Sequence, residues 1–235
     1  MAFRFRQFII EDDLSTMKTG TDAILLGAWA EPGNAKSILE IGTGCGVISL
    51  MLAQKSEASI TAIDIDPESI VQAKANFMNS PWPDRIKGMR ISLQEFASIT
   101  EKKYNLILTN PPFFIGSLKS PDERKNRAKH SPDLNHQELI NGVKHLLDPD
   151  GSFLLILPAT ENQKFSTLAV ASGLFLQQEL KIRPKAGFPV NRILSRFGFQ
   201  KVIQPKMKEL VIRSSDNSFT RNYIEFTKEY HTGLL

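Results

Sequence analysis

From residue 37 onward, short uninterrupted apolar runs alternate with longer stretches in which apolar residues recur every three or four positions. Runs of the first kind suit strands buried on both faces, and the second kind suits helices. The pattern predicts strands over 37–41, 59–65, 89–93, 104–109, 151–157, 174–183 and 192–202, and helices over 47–54, 67–78, 134–147 and 159–172. Strands that alternate with helices in this way imply an α/β fold with a mostly parallel, seven-stranded sheet covered on both faces. Between the last two strands only a turn-rich segment intervenes, so they form an antiparallel C-terminal edge. Residues 208–213 are a candidate for one more short strand, and 219–230 for a last helix.

Ahead of this pattern, residues 3–10 alternate large apolar and polar side chains, as a short strand or extended arm does. Ala23, Leu25, Leu26, Ala28 and Trp29 then fall at helical spacing before Pro32-Gly33 stops the run. The chain reads as one domain in three parts: arm and helix over 1–34, core over 35–202, and a C-terminal strand and helix over 203–235. With 235 residues, 41% of them hydrophobic, it can bury a full core. No stretch reaches the ~18 apolar residues of a membrane span, and the basic N-terminus is not followed by a signal-like apolar region. The single cysteine, Cys45, and four scattered histidines leave no multi-cysteine metal site and no intramolecular disulfide. A metal-free protein of a reducing, cytoplasmic compartment is expected.

The formal charge of +4 hides a local asymmetry. Between Lys181 and Arg213 there are nine Lys or Arg and one acidic residue, Glu209. Aromatic residues interleave this strip. Alternation over 193–199 puts Phe197 and Phe199 on one sheet face and assigns them to the core, whereas Phe188 is the candidate for a base or sugar contact, with Lys185 and Arg192 beside it. A second basic cluster, residues 119–129, has five basic and two acidic residues.

Two motifs carry chemistry. Glu40-Ile41-Gly42-Thr43-Gly44-Cys45-Gly46 is a G-x-G-x-G loop between a strand and an apolar helix, the geometry in which backbone approaches a nucleotide-type cofactor at a helix N-terminus. Its third glycine comes one residue too early for the dinucleotide fingerprint, which argues against NAD. Asp64 ends the second strand about twenty residues on, placed to accept from ribose hydroxyls. Asp66 has two readings, a ribose contact or the N-cap of the helix that Pro67 starts.

The fourth strand runs into Asn110-Pro111-Pro112-Phe113. Two prolines end the sheet pairing and hold a fixed shape at a strand end. The Asn110 carbonyl and the Pro111 backbone carbonyl are suited to accept the two N–H bonds of a purine exocyclic amine and aim its nitrogen at an electrophilic methyl group. Phe113 would stack on the base. The competing reading is a rigid surface turn with a core aromatic.

With these residues in view, the chain resembles class I S-adenosylmethionine-dependent methyltransferases of the amino-methylating group, whose tetrapeptide is (Asn/Asp)-Pro-Pro-(Tyr/Phe/Trp). More closely it is similar to the bacterial tRNA1(Val) (adenine(37)-N6)-methyltransferase family. The similarity covers nearly the whole chain: the arm from Phe3 to Phe8, Met17-Lys18-Thr19-Gly20-Thr21-Asp22, Leu25-Leu26-Gly27-Ala28-Trp29, Ser80-Pro81-Trp82-Pro83, Arg127 and His130, and Leu210-Val211-Ile212-Arg213 with Tyr223.

The resemblance implies a Rossmann-like class I methyltransferase fold, S-adenosyl-L-methionine as cofactor, and the anticodon-adjacent adenosine of a valine tRNA as substrate. Gly42, Gly44, Gly46, Asp64, Ser92 and Leu93 are the implied cofactor residues; Asn110, Pro111, Pro112 and Phe113 are the catalytic ones. Relatives usually carry an acidic residue where Ser92 stands, and Glu95 is the alternative contact to the cofactor adenine. Lys18, Arg124, Arg127, His130, Lys185, Phe188 and Arg192 are the candidate tRNA contacts, and a monomer is expected. Other amino-methyltransferase substrates (ribosomal RNA, DNA adenine, protein glutamine) and a catalytically inactive RNA-binding protein remain alternatives. The basic strip disfavours glutamine, and the lack of a separate target-recognition region disfavours DNA.

Overall fold

The structure is a computed structural model that describes residues 2–16, 18–111 and 134–230. Its centre is an eight-stranded sheet. After a small hairpin of β1 (Ala2–Arg4) and β2 (Ile9–Glu11) come α1 (Thr21–Trp29), β3 (Ser37–Ile41), α2 (Val47–Lys55), β4 (Ser59–Asp64) and α3 (Pro67–Met78). There follow β5 (Ile86–Arg90), α4 (Leu93–Ile99), β6 (Tyr104–Thr109), α5 (His136–Leu146), β7 (Leu147–Pro158) and α6 (Ala159–Ala171). The chain closes with β8 (Phe175–Lys185), β9 (Arg192–Gly198), β10 (Lys206–Arg213) and α7 (Arg221–Thr227).

Across the sheet the order is β10-β8-β9-β7-β6-β3-β4-β5. Strands β3 to β7 run parallel, β9 is antiparallel to both its neighbours, and β10 is parallel to β8. The mostly parallel α/β architecture is as expected, with two refinements. There are eight strands rather than seven, and the antiparallel strand is internal, because β10 adds a parallel edge outside β8.

Successive strand residues point to opposite faces, and each face has its own core. Ile38, Leu106, Leu108, Leu154 and Ile156 pack with the arm, α1, α2, α3 and α7. Leu39, Ile107, Phe153, Leu155 and Leu157 pack with α4, α5 and α6. That two-sided burial is why these strands read as unbroken apolar runs. Phe197 is fully buried in the second core and Phe199 packs against it.

Several boundaries moved for local reasons. β5 covers 86–90 rather than 89–93, because Ser92 turns the chain and caps α4 by accepting from the Glu95 N–H at 3.1 Å. Helix α7 starts only at Arg221, since Phe219 is bridged to Arg213 and Thr220 caps. Asp66 accepts from the Ser69 N–H at 2.8 Å and so is the N-cap of α3, and it also lines the cleft at the carboxyl ends of the strands.

The N-terminal arm is packed. Phe5 and Phe8 stack at 4.6 Å between ring centroids and are buried in the first core. Asn76 of α3 accepts from the Glu11 N–H and donates to the carbonyls of Glu11 and Cys45, both at 2.8 Å. Among the described residues, no helix is long and apolar enough to cross a membrane.

Candidate active site

At the carboxyl ends of β3, β4 and β6 lies a cleft of about 1070 Å³. Its floor is the glycine loop. The N–H groups of Gly42 and Thr43 donate to the Ile63 carbonyl at 2.9 and 3.0 Å, which ties the loop to the end of β4. Gly42 has φ +71° and a Cβ there would meet nothing within 4 Å, so the backbone presents open space to a ligand. Gly44 lines the cleft beside it. Gly46 lies outside the lining: it caps α2 at φ +89°, and a Cβ would collide with the Phe77 ring.

Asp64 braces this loop while facing the cleft. Its Oδ2 accepts from the Gly44 N–H at 2.8 Å and its Oδ1 from the Asp66 N–H at 2.9 Å. Burial raises its pKa, opposed by these N–H donors. A carboxylate has about four acceptor sites, so roughly two remain for ribose hydroxyls.

Glu40, which opens the glycine-loop motif and to which the spacing assigns no role, is a further cleft residue. It is 1% exposed, it lines the cleft, and its Oε2 accepts from Thr43 Oγ1 at 2.7 Å, Ser49 N at 3.0 Å and Ser49 Oγ. The carboxylate thereby joins β3 to the first turn of α2, whose N-cap glycine offers no side-chain acceptor. Its Oε1 has no hydrogen-bond partner among the described residues. Burial pushes its pKa up to about 7, against the lowering effect of the Ser49 and Thr43 hydrogen bonds. An acidic residue inside the apolar run Ser37–Ile41 was the available signal.

Asn110 follows β6 directly. Thr109 Oγ1 donates to the Ile41 carbonyl at 2.9 Å, which fixes the end of β6 beside the glycine loop. Asn110 and Pro111 line the cleft, and Asn110 Oδ1 is buried without a hydrogen-bond partner among the described residues. Pro112 and Phe113 lie outside the described residues, as do Arg124, Arg127 and His130.

Ser92 and Leu93 line the cleft together with Gln94, and Glu95 does not. The Ser92 hydroxyl oxygen is already the α4 cap.

One wall is the segment after the arm. Thr16, Lys18, Thr19, Gly20, Thr21 and Asp22 all face the cleft. Lys18 Nζ donates to the carbonyls of Asp12 at 2.6 Å and Asp13 at 3.1 Å, so its ammonium holds this wall in shape. Arg192 Nε reaches Asp22 Oδ2 at 2.9 Å across the far end. His136 and Glu161 line the same end, and burial lowers the His136 pKa, opposed by the nearby Glu161 carboxylate. Periodicity did not single out His136 or Glu161.

Lys185 and Phe188 are not in the cleft. They sit on the β8–β9 loop, which the strand directions place at the same edge of the sheet. The basic strip is divided. Arg183, Lys185, Arg192 and Arg213 lie towards the cleft edge, while Lys206 pairs with Gln178 near the start of β8, at the opposite edge.

The residues of this cleft fit a nucleoside cofactor: open positive-φ backbone at Gly42, a carboxylate at the end of β4, and, lining the same cleft, Asn110, whose buried carbonyl has no partner among the described residues. A family model described as methyltransferase small domain matches residues 16–180. The fold is that of solved methyltransferase structures. A predicted O-methyltransferase of Agrobacterium tumefaciens has a TM-score of 0.67 at 16% identity, covering 89% of this chain and 96% of that one. A ribosomal protein L11 methylase of Lactobacillus delbrueckii gives 0.59 at 17% identity, covering 82% and 84%. Fold and cleft thus define a methyltransferase of the small-domain class. Curated relatives narrow this. A Bacteroides fragilis protein is 38% identical over 97% of both chains, and one from Phocaeicola vulgatus is 40% identical over 99% of this chain and 98% of its own. Both are named tRNA1(Val) (adenine(37)-N6)-methyltransferase, and the chain belongs to that family.

Proposed function

We propose that this chain transfers the methyl group of S-adenosylmethionine to N6 of adenosine 37 in a valine tRNA. The carrying observation is Asn110 at the end of β6: it lines a cleft floored by the glycine loop, and its buried Oδ1 has no hydrogen-bond partner among the described residues. A buried acceptor without a donor costs about 1–3 kcal/mol, and an adenine N6 amine supplies the missing N–H. When bound, S-adenosylmethionine supplies the electrophilic methyl.

The chain's own groups do the positioning. Gly42 and Gly44 let the backbone approach the cofactor, Asp64 accepts from its ribose hydroxyls, and Ser92 and Leu93 flank its adenine. The Asn110 and Pro111 carbonyls accept the two N6 hydrogens, orient the nitrogen and favour the positive charge that develops on it. Phe113, next but one to Pro111, stacks on the target base. The methylated ammonium loses its extra proton readily, so no dedicated base is needed. Arg192 and Lys185, with Arg124, Arg127 and His130 of the second basic cluster, supply contacts to the RNA backbone, and Lys18 keeps the cleft wall in place. The enzyme acts as a cytoplasmic monomer.

The test is incubation with labelled S-adenosylmethionine and tRNA from cells lacking the gene, followed by nucleoside mapping. N6-methyladenosine at position 37 of a valine tRNA is expected. Label in protein glutamine, in duplex DNA or only in ribosomal RNA would overturn the substrate, and cofactor binding without any transfer would favour the inactive RNA-binding reading.

A further inference from the structure

We infer that Phe188 is a stacking platform for an RNA base close to the methylated adenosine, held out at the cleft edge by a braced β8–β9 loop. The inference rests on the tRNA reading above and assigns this loop a task within it.

Phe188 is 54% exposed, an unfavourable position for a phenyl ring that the fold nevertheless maintains. Its N–H donates to the Lys185 carbonyl at 3.0 Å and its carbonyl accepts from Arg183 Nη1 at 2.7 Å. The Ala186 N–H donates to the Arg213 carbonyl at 2.8 Å, and the Asn191 N–H to the Ile182 carbonyl at 3.0 Å. Lys185 Nζ reaches Asn217 Oδ1 at 2.8 Å, so the 214–218 turn backs the loop. Gly187, at φ +81°, permits the reversal, and Pro189 restricts the backbone of Phe188 to an extended form. Such a ring gives up little freedom when it binds.

Position selects the occupant. β8 is parallel to β6 and three strand spacings away, about 14 Å at ~4.8 Å each. That is the reach of a short splayed segment of single strand leading away from Asn110. Arg192 stands at the cleft rim between them. An aromatic face flanked by Lys185 and by Arg183, which also pairs with Glu209 at 2.7 Å, beside a pocket for an extruded base matches alternating bases and phosphates better than an apolar protein surface. Two members of the basic strip, Arg183 and Lys185, shape this platform through their own hydrogen bonds.

The experiment compares tRNA binding by wild type, Phe188→Ala and Phe188→Trp across a salt series, with wild-type methylation run in parallel. Phe188→Ala should weaken tRNA binding by about tenfold with an unchanged log–log salt slope, since stacking releases no counterions. Phe188→Trp should restore affinity, and its fluorescence should change on addition of tRNA. Equal affinity of Phe188→Ala and wild type, or a loss traceable to a changed salt slope, overturns the inference while leaving the parent reading intact. A wild-type dimer that Phe188→Ala converts to monomer in sedimentation overturns it in favour of a self-contact. Absence of methylation by wild type overturns both.

Discussion

Replacing Glu40 by glutamine separates the electrostatic cost of this carboxylate from its role as a brace. In the folded chain burial raises its pKa from 4.5 to about 7. Between those values the folded state keeps a proton that the unfolded state has released, so stability falls as pH rises through the window and the full cost stands above pH 7. A rise of this size corresponds to about 3 kcal/mol at ~1.36 kcal/mol per pH unit. Glutamine has no proton to lose, and its amide oxygen can take over the three donors that Oε2 serves. Other titrating groups are common to both proteins and cancel in the difference. Urea unfolding at several pH values should therefore show Glu40→Gln gaining on wild type by about 2–3 kcal/mol between pH 5 and pH 8. A gap that stays constant across that range would refute the reasoning, because it would mean that the native carboxylate ionises without penalty.

Three further outcomes test the site. Asp64→Ala strips the Gly44 and Asp66 N–H groups of their acceptor and removes the ribose contact, so S-adenosylmethionine should bind about 30-fold more weakly, ~2 kcal/mol, in calorimetric titration; an unchanged dissociation constant in a folded variant rejects the ribose assignment. Asn110→Ala should slow single-turnover methyl transfer by on the order of 100-fold while cofactor binding persists; near-wild-type transfer would sink the catalytic role. Gly46→Ala forces a side chain into φ +89° and against the Phe77 ring, and should cost about 1–3 kcal/mol in the urea transition; an unmoved midpoint contradicts the packing.

Sequence alone determined the elements whose limits are chemically marked. Strands over 37–41 and 104–109 and helices over 21–29 and 67–78 were legible because glycine, proline or a capping aspartate marks their limits, and because strands buried on two faces are mostly apolar. The glycine loop, Asp64 and Asn110 were legible for a related reason: each sits where a buried strand stops, and spacing along one strand–loop–helix unit brings the first two together. Helix α4 escaped because its seven residues are too few to show a period, and the start of β5 was misplaced because Gly88 and half-exposed neighbours blur its pattern.

Tertiary structure alone decided the rest. Whether Glu40 is a solvated strand-end charge or a buried brace depends on Ser49 arriving from the next helix, and whether Lys18 reaches solvent or holds the cleft wall depends on the fold of the carbonyls at 12 and 13. The basic strip shows the same limit. Lys185, Arg192 and Lys206 belong to one stretch of sequence, but β8 and β9 run in opposite directions, so the first two meet at the cleft edge while the third is carried to the far side of the sheet. Strand direction is set by pairing between distant residues, and local spacing carries no record of it.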